Sequence, residues 1–275
     1  MRIMFMGTPE IAIPSLEILH KKHEICAIIT GMDKPRGRGH KLVPTPVAEW
    51  GEARGIDIVK PDSFANEAFL PVLEKYQPEV IVVIALGKIL PKYVLEFPNK
   101  KAINVHFSLL PKYRGAAPVQ RAIIGGESET GVCTMLMTEK LDAGDILHTE
   151  KVVIGADETA GELFERLAKV GAKAIDFTLV NLANIVPKKQ DDSEATYADM
   201  LTTTSSFIDF SKHPIDIVNH IRGYNPSPCA RMEIDGEVLK VYSARVDGDN
   251  LEILEVQPAG KKRMLYADYL RGRRE

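Results

Sequence analysis

Three polar side chains in this sequence have the types and spacing to handle an acyl group. Asn104 and His106 stand two residues apart, so in an extended strand they face the same side. A carboxamide can donate to a developing oxyanion while a neighbouring imidazole donates or moves a proton. The third is Asp142, in the turn Leu141-Asp142-Ala143-Gly144-Asp145. A carboxylate there would orient His106 or take a proton from an attacking group. A structural histidine at a strand end and an aspartate filling an Asx turn also describe these positions. No Ser or Cys stands beside a second base, which points to direct transfer without a covalent enzyme intermediate. Ser108, the nearby hydroxyl, reads as hydrogen-bonding support.

The elements that must position these groups alternate between strand and helix patterns. Ile3–Met6, Ile25–Thr30, Ile56–Val59, Val80–Ile84, Ala102–His106, Val132–Met137 and Ile146–Ile154 read as strands. Val80–Ile84 is β-branched throughout, as a parallel strand buried on both faces requires. Helices are predicted from Pro14, from Thr45-Pro46 with its N-cap and N1 proline, from Asp62/Ser63, over Pro118–Ile124, and from the capping box Thr159-Ala160-Gly161-Glu162. The alternation implies an α/β fold with a doubly wound, mostly parallel, Rossmann-like sheet. Ligands in such sheets sit beyond the carboxyl ends of the strands, here the loops after Met6, Thr30, Ile84 and His106. Gly7-Thr8-Pro9 is no GxGxxG, and no acidic residue ends the second strand, so a dinucleotide site is disfavoured.

The pattern changes after Ile185. The division read from it is a domain over residues 1–187, a polar linker over 188–206 and a small β-rich domain over 207–275. The last holds a helix over Pro214–Arg222 and strands over Cys229–Ile234, Val238–Ala244 and Leu251–Val256. Asp235-Gly236 is a hairpin signal between the first two of these strands.

Composition narrows the function classes. The chain has 275 residues, 45% hydrophobic and 27% charged, which excludes disordered, collagenous and coiled-coil classes. Its longest apolar run, Val80 to Leu86, is far short of the ~20 residues of a membrane helix. The net charge of −3 excludes a global basic field. Basic residues nevertheless cluster at Lys34, Arg36, Arg38 and Lys41, at Lys261-Lys262-Arg263, and at Arg271, Arg273 and Arg274. The 3 cysteines are far apart, with neither disulfide framework nor zinc spacing, so no metal is expected and a reducing cytoplasm fits.

Several motifs together carry a resemblance. They are Phe5-Met6-Gly7-Thr8-Pro9-Glu10, the loop Gly37 to Val47, the run Asn104 to Gly115 and Leu141-Asp142-Ala143-Gly144-Asp145. Arg222-Gly223-Tyr224-Asn225-Pro226-Ser227-Pro228 and Gly260-Lys261-Lys262-Arg263-Met264 extend it through the second domain. Over nearly its whole length the chain strongly resembles the folate-dependent formyltransferases, and among them the methionyl-tRNA formyltransferases. The resemblance implies formyl transfer from 10-formyltetrahydrofolate, as co-substrate, to the α-amine of methionyl initiator tRNA. Asn104 and protonated His106 would stabilise the oxyanion, and Asp142 would hold His106 and help remove the amine proton. The folate would lie against Leu86, Gly87, Leu90, Ser108, Leu109, Leu110, Pro111 and Leu141. Arg36, Arg38 and Lys41 would enter the acceptor-stem groove, and Lys261, Lys262 and Arg263 would track the RNA backbone. A cytoplasmic monomer without membrane association is expected.

Two features depart from that family. Leu86 stands where a tyrosine is common in the folate loop. The family's C-terminal part is an OB-like barrel, a fold of five strands. Only three candidate strands are legible between Asn225 and Pro258, so the domain reads as shortened between Ala244 and Leu251. An N-formyltransferase for a small amine, such as an amino-sugar nucleotide, is the first alternative; the basic loop opposes it. A non-catalytic folate- or RNA-binding protein is the second; the complete Asn104, His106 and Asp142 set opposes that.

Overall fold

The apolar run Ile3-Met4-Phe5-Met6 is buried completely as an interior strand of a seven-stranded sheet. The computed structural model describes residues 1–36 and 41–273. In chain order the first elements are β1 (Arg2–Gly7), α1 (Ile13–Lys22), β2 (Glu24–Ile29), β3 (Lys34–Arg36), β4 (Lys41–Val43), α2 (Pro46–Glu52), β5 (Ile58–Val59), α3 (Leu70–Tyr76), β6 (Val80–Ile84), α4 (Lys92–Glu96) and β7 (Ala102–His106). They continue with α5 (Pro118–Ile124), β8 (Glu129–Leu136), β9 (Ile146–Val153), α6 (Ala160–Asn181), α7 (Pro214–Tyr224), β10 (Ala230–Ile234), β11 (Glu237–Asp247), β12 (Asn250–Pro258), β13 (Met264–Leu265) and α8 (Tyr266–Arg271).

The large sheet runs β5-β2-β1-β6-β7-β8-β9. The pairings among β5, β2, β1, β6 and β7 are parallel, and β8 runs antiparallel to β7. Strand order reverses between β1 and β6, which makes their carboxyl ends the switch point of a doubly wound sheet. All five residues of β6 and of β7 are buried, as central strands covered on both faces must be. A core of Met4, Met6, Ile29, Phe69, Leu73, Ile81, Val83 and Val94 packs on one face.

Local chemistry sets the helix ends. Thr45 Oγ1 accepts from Ala48 N at 3.1 Å and caps α2, whose first turn holds Pro46. Thr159 N donates to Glu162 Oε2 at 2.9 Å while Glu162 N donates to Thr159 Oγ1 at 3.4 Å, the reciprocal capping box that opens α6. The stretch around residues 34–43, read from sequence as a loop, contains the short antiparallel pair β3–β4.

The chain divides into two units. One comprises Met1–Arg114, Gly131–Lys151 and Glu165–Thr196; the other comprises Gly115–Thr130, Val152–Phe164 and Tyr197–Glu275. The second unit contains an antiparallel meander, β10-β11-β12-β13. Its core of Ile217, Ile221, Tyr224, Met232, Leu239, Val241 and Val256 joins α7 to that sheet. β13 is a strand the sequence reading lacked, because two residues carry no periodicity. β11 and β12 form one hairpin, closed where Asp247 pairs with Asn250 and Gly248 adopts φ +58°.

Candidate active site

The site begins at the switch point. Gly7 ends β1 opposite Ile84 at the end of β6, and a Cβ on Gly7 would meet the Ile84 carbonyl oxygen at 2.8 Å, so only glycine lets the two ends close up. Val83 of β6 pairs with Asn104 of β7, which places His106 one pleat further along, beside Cys133 of β8.

His106 is 5% exposed and held between two oxygens. Its Nε2 lies 2.9 Å from the Tyr113 carbonyl, which can only accept, so Nε2 carries hydrogen. Its Nδ1 faces Asp142 Oδ2 at 3.6 Å. Proton exchange at this ring therefore belongs to Nδ1, on the Asp142 side. Catalytic contacts of this length tighten when substrate binds. Asp142 has φ +46° and Tyr113 φ +59°, so both partners of the ring stand in left-handed backbone that non-glycine residues adopt at a cost.

Asn104 is 9% exposed, and among the described residues no group hydrogen-bonds its carboxamide. A buried amide with donors unspent is what an incoming carbonyl oxygen requires. Ser108 is fully buried, and its hydroxyl donates to the Lys112 carbonyl at 2.7 Å, which ties the turn after β7.

The loop after β6 bends through two positive φ angles, at Ala85 (+49°) and Gly87 (+71°). Leu86 and Leu90 point inward and belong to the core with Met6, Phe64 and Phe69. Leu110 packs on Cys133 and Met135. Leu109 and Pro111 are half-buried, and Leu141 is exposed. The space a Cβ on Gly87 would enter is open, and Ile89 beyond it is 81% exposed. An open backbone turn beside uncovered aliphatic side chains fits a flat, partly apolar ligand such as a folate.

The structure separates the basic residues. Arg38 lies outside the described residues, as do the side chains of Arg36 and Lys41; the backbones of Arg36 and Lys41 pair across β3–β4. Lys261 and Lys262 are exposed in the second unit. Their loop is fixed by Lys261 N on Pro258 O at 3.1 Å and by Gln257 Nε2 on Lys261 O at 2.9 Å. Arg263 behaves differently: its guanidinium sits over the Tyr242 ring, 4.5 Å from the centroid, and pairs with Glu255. A neighbouring hollow is lined by Arg231, Val238, Lys240, Gln257, Pro258, Ala259 and Gly260.

Two residues of the catalytic surroundings were not singled out by sequence reasoning. Arg114 is buried, and so is Gln190, inside a run whose polar composition signals a solvated linker. Arg114 could have been found from its place within the Asn104–Gly115 motif; Gln190 had no local signal. Among the described residues no three His, Cys, Asp or Glu side chains gather as metal ligands, and no helix is long and apolar enough to cross a membrane. All three cysteines are free thiols.

Comparison with known proteins adds the lineage. The Formyl transferase family model matches residues 1–179, and the Formyl transferase, C-terminal domain model matches residues 200–251. A methionyl-tRNA formyltransferase of Lachnospira eligens is 43% identical, covering 99% of this chain and 96% of its own. That match extends over 305 aligned residues against the 275 of this chain, so the relative has about 30 positions without a counterpart here. Among solved structures, methionyl-tRNA formyltransferase from Clostridium thermocellum superposes with a TM-score of 0.66 at 20% identity, over 94% of this chain and 98% of that one. An N-formyltransferase from Helicobacter canadensis, in complex with folinic acid and dTDP-3-aminofucose, gives 0.70 at 21% identity, over 90% and 88%.

Proposed function

Since the chain belongs to the formyl transferase family, among its methionyl-tRNA formyltransferases, we propose that it moves a formyl group from 10-formyltetrahydrofolate to the α-amine of methionyl initiator tRNA. The observation that supports this reading most is the division of labour at the end of β7. The Asn104 amide is unspent, while His106 is held between the Tyr113 carbonyl and the Asp142 carboxylate.

The folate donor supplies an electrophilic formyl carbon. Gly87 and the loop around it, with Leu109, Pro111 and Leu141, hold it; Leu86, Leu90 and Leu110 shape that wall from within the core. Asn104 donates to the formyl oxygen as negative charge grows there. The Asp142 carboxylate takes the proton that the attacking amine sheds, and His106 Nδ1 delivers one to the departing nitrogen. Asp142 then passes its proton to His106 Nδ1, so that one proton has left the amine, one has reached the leaving group and the site ends as it began. Lys261 and Lys262 contact RNA phosphates, and Arg231 and Lys240 extend that surface across the hollow between them. Arg263 braces the loop through Tyr242 and Glu255. The sequence reads as shortened between Ala244 and Leu251, at the β11–β12 turn, which would reduce the RNA surface there.

The test is formylation by the purified protein with 10-formyltetrahydrofolate and methionyl initiator tRNA. Formyl-methionyl-tRNA is the expected product, and His106→Ala lowers kcat by about 10²–10⁴. Formylation of an amino-sugar nucleotide in its place overturns the acceptor; full activity in His106→Ala overturns the mechanism.

A further inference from the structure

The two oxygens that hold His106 are themselves tied to one buried side-chain pair. Arg114 is 3% exposed, and its Nε and Nη2 both donate to Gln190 Oε1, at 3.1 and 2.8 Å. The two donors of the Gln190 amide are spent in turn on the Asp142 carbonyl at 2.8 Å and the Gly144 carbonyl at 2.7 Å. Gln190 therefore grips the backbone of the residue whose carboxylate faces His106 Nδ1. Arg114 follows Tyr113, whose carbonyl takes His106 Nε2. The backbone of that pair is fixed by Tyr113 N on Thr196 Oγ1 and Arg114 N on Thr196 O, both 2.9 Å.

The gripped loop needs holding. Asp142 is in left-handed backbone, and Gly144 lies so close to β8 that a Cβ would meet the Leu136 carbonyl oxygen at 1.7 Å. A strained turn pressed against a strand keeps its shape only when its surroundings over-determine it. The amide accomplishes this with every hydrogen-bonding position of Gln190 filled, the condition under which a buried polar group rigidifies its site. The remaining Arg114 contact, Nη2 to Asp192 Oδ1 at 2.7 Å, balances the buried charge at the surface.

We propose that Arg114 and Gln190 are positioning residues for formyl transfer: the arginine orients the glutamine amide, and the amide sets the place of the Asp142 carboxylate against His106. Neither need touch a substrate. The inference rests on the proposed reaction only for its kinetic readout.

The experiment is a double-mutant cycle. Gln190→Glu keeps an oxygen for Arg114 but replaces both donors by a carboxylate facing two carbonyls. We expect kcat to fall about 30-fold, on the scale of a small misplacement of catalytic groups, with both KM values within about threefold. In an Asp142→Ala background, where no carboxylate remains to place, the same change should cost less than about twofold. Arg114→Lys, which keeps the charge and loses the fork, serves as the milder variant should Gln190→Glu fold poorly; about a fivefold loss is expected, again absent without Asp142. An equal loss in both backgrounds, or unchanged kcat in either folded variant, overturns the proposal. The ¹⁵N signals of the His106 ring in the substrate-free protein give a readout independent of the reaction. They should shift in Gln190→Glu and Arg114→Lys, and an unmoved ring overturns the positioning role even if the acceptor assignment fails.

Discussion

The two units of this chain fix their polar and charged groups by opposite means. In the first, the groups around His106 are held by buried bonds: Gln190 and Arg114 are both nearly inaccessible, and β7 is covered on both faces. In the second, the charged loop at 260–263 is held at the surface. Arg263 pairs with Glu255 and stacks on Tyr242, Arg245 pairs with Glu252, and Arg273 pairs with Asp235, all on partly exposed side chains. β11 alternates covered and uncovered residues along much of its length, as a ribbon with one wet face does. Chemistry demands placement to a fraction of an ångström, which low-dielectric hydrogen bonds supply. Attraction to a phosphate backbone tolerates looser placement and works through solvent.

The sharpest way to break this contrast is to remove the unspent amide. Asn104→Ala should lower kcat about 10²–10³-fold while leaving tRNA affinity in a filter-binding titration within about twofold. A comparable loss of affinity would mean the two tasks are not divided as described. Next in size is the core of the second unit. Leu239→Ala, at a fully buried position, should destabilise that unit by about 2–5 kcal/mol, read as an earlier transition in calorimetry. The paired change Lys261→Ala and Lys262→Ala comes third. It should flatten the slope of log affinity against log salt by about two and leave kcat at saturating tRNA unchanged. An effect on kcat instead would join the two units in one task.

The smallest effect expected is at Asp192. The hydrogen bond and charge of Arg114 hold its carboxyl below the usual carboxylate range. A lowered folded value means the contact stabilises above the unfolded pKa of ~3.9 and is lost as pH falls through the folded one. Asp192→Asn should therefore change activity less than about twofold at neutral pH and lower thermal stability slightly there, a difference that fades as acid titration passes through the folded pKa.

Much of the first unit was legible because its signals are local. The β-branched run Val80–Ile84, the proline-started helices and the alternation of Asn104 with His106 each follow from neighbours in sequence. Asp142 could be named but its strained φ could not, because that conformation is imposed by Gln190 and by contact with β8. Gln190 itself sits in a stretch whose composition argues for solvent; its burial depends on carbonyls 46 and 48 residues away. Leu86 and Leu90, expected beside the folate, turn their side chains into the core cluster, an orientation a leucine in a short loop has no periodicity to signal. In the second unit β13 and α8 escaped for the same reason, being two and six residues long.

The hairpin of β11 and β12 has one more consequence, in folding kinetics. Every strand of the second sheet pairs with its immediate neighbour in the chain, and the Asp247–Asn250 turn brings the longest pair together through a local closure. Hairpins of this kind form in about 1–10 μs. The first sheet cannot close so cheaply: β1 meets β2 only across α1, and its other edge must wait for β6, Ile3 meeting Val80 across a long stretch of chain. During synthesis one edge of β1 thus stays open until β6 is made, whereas each strand of the second sheet can pair with the one made just before it.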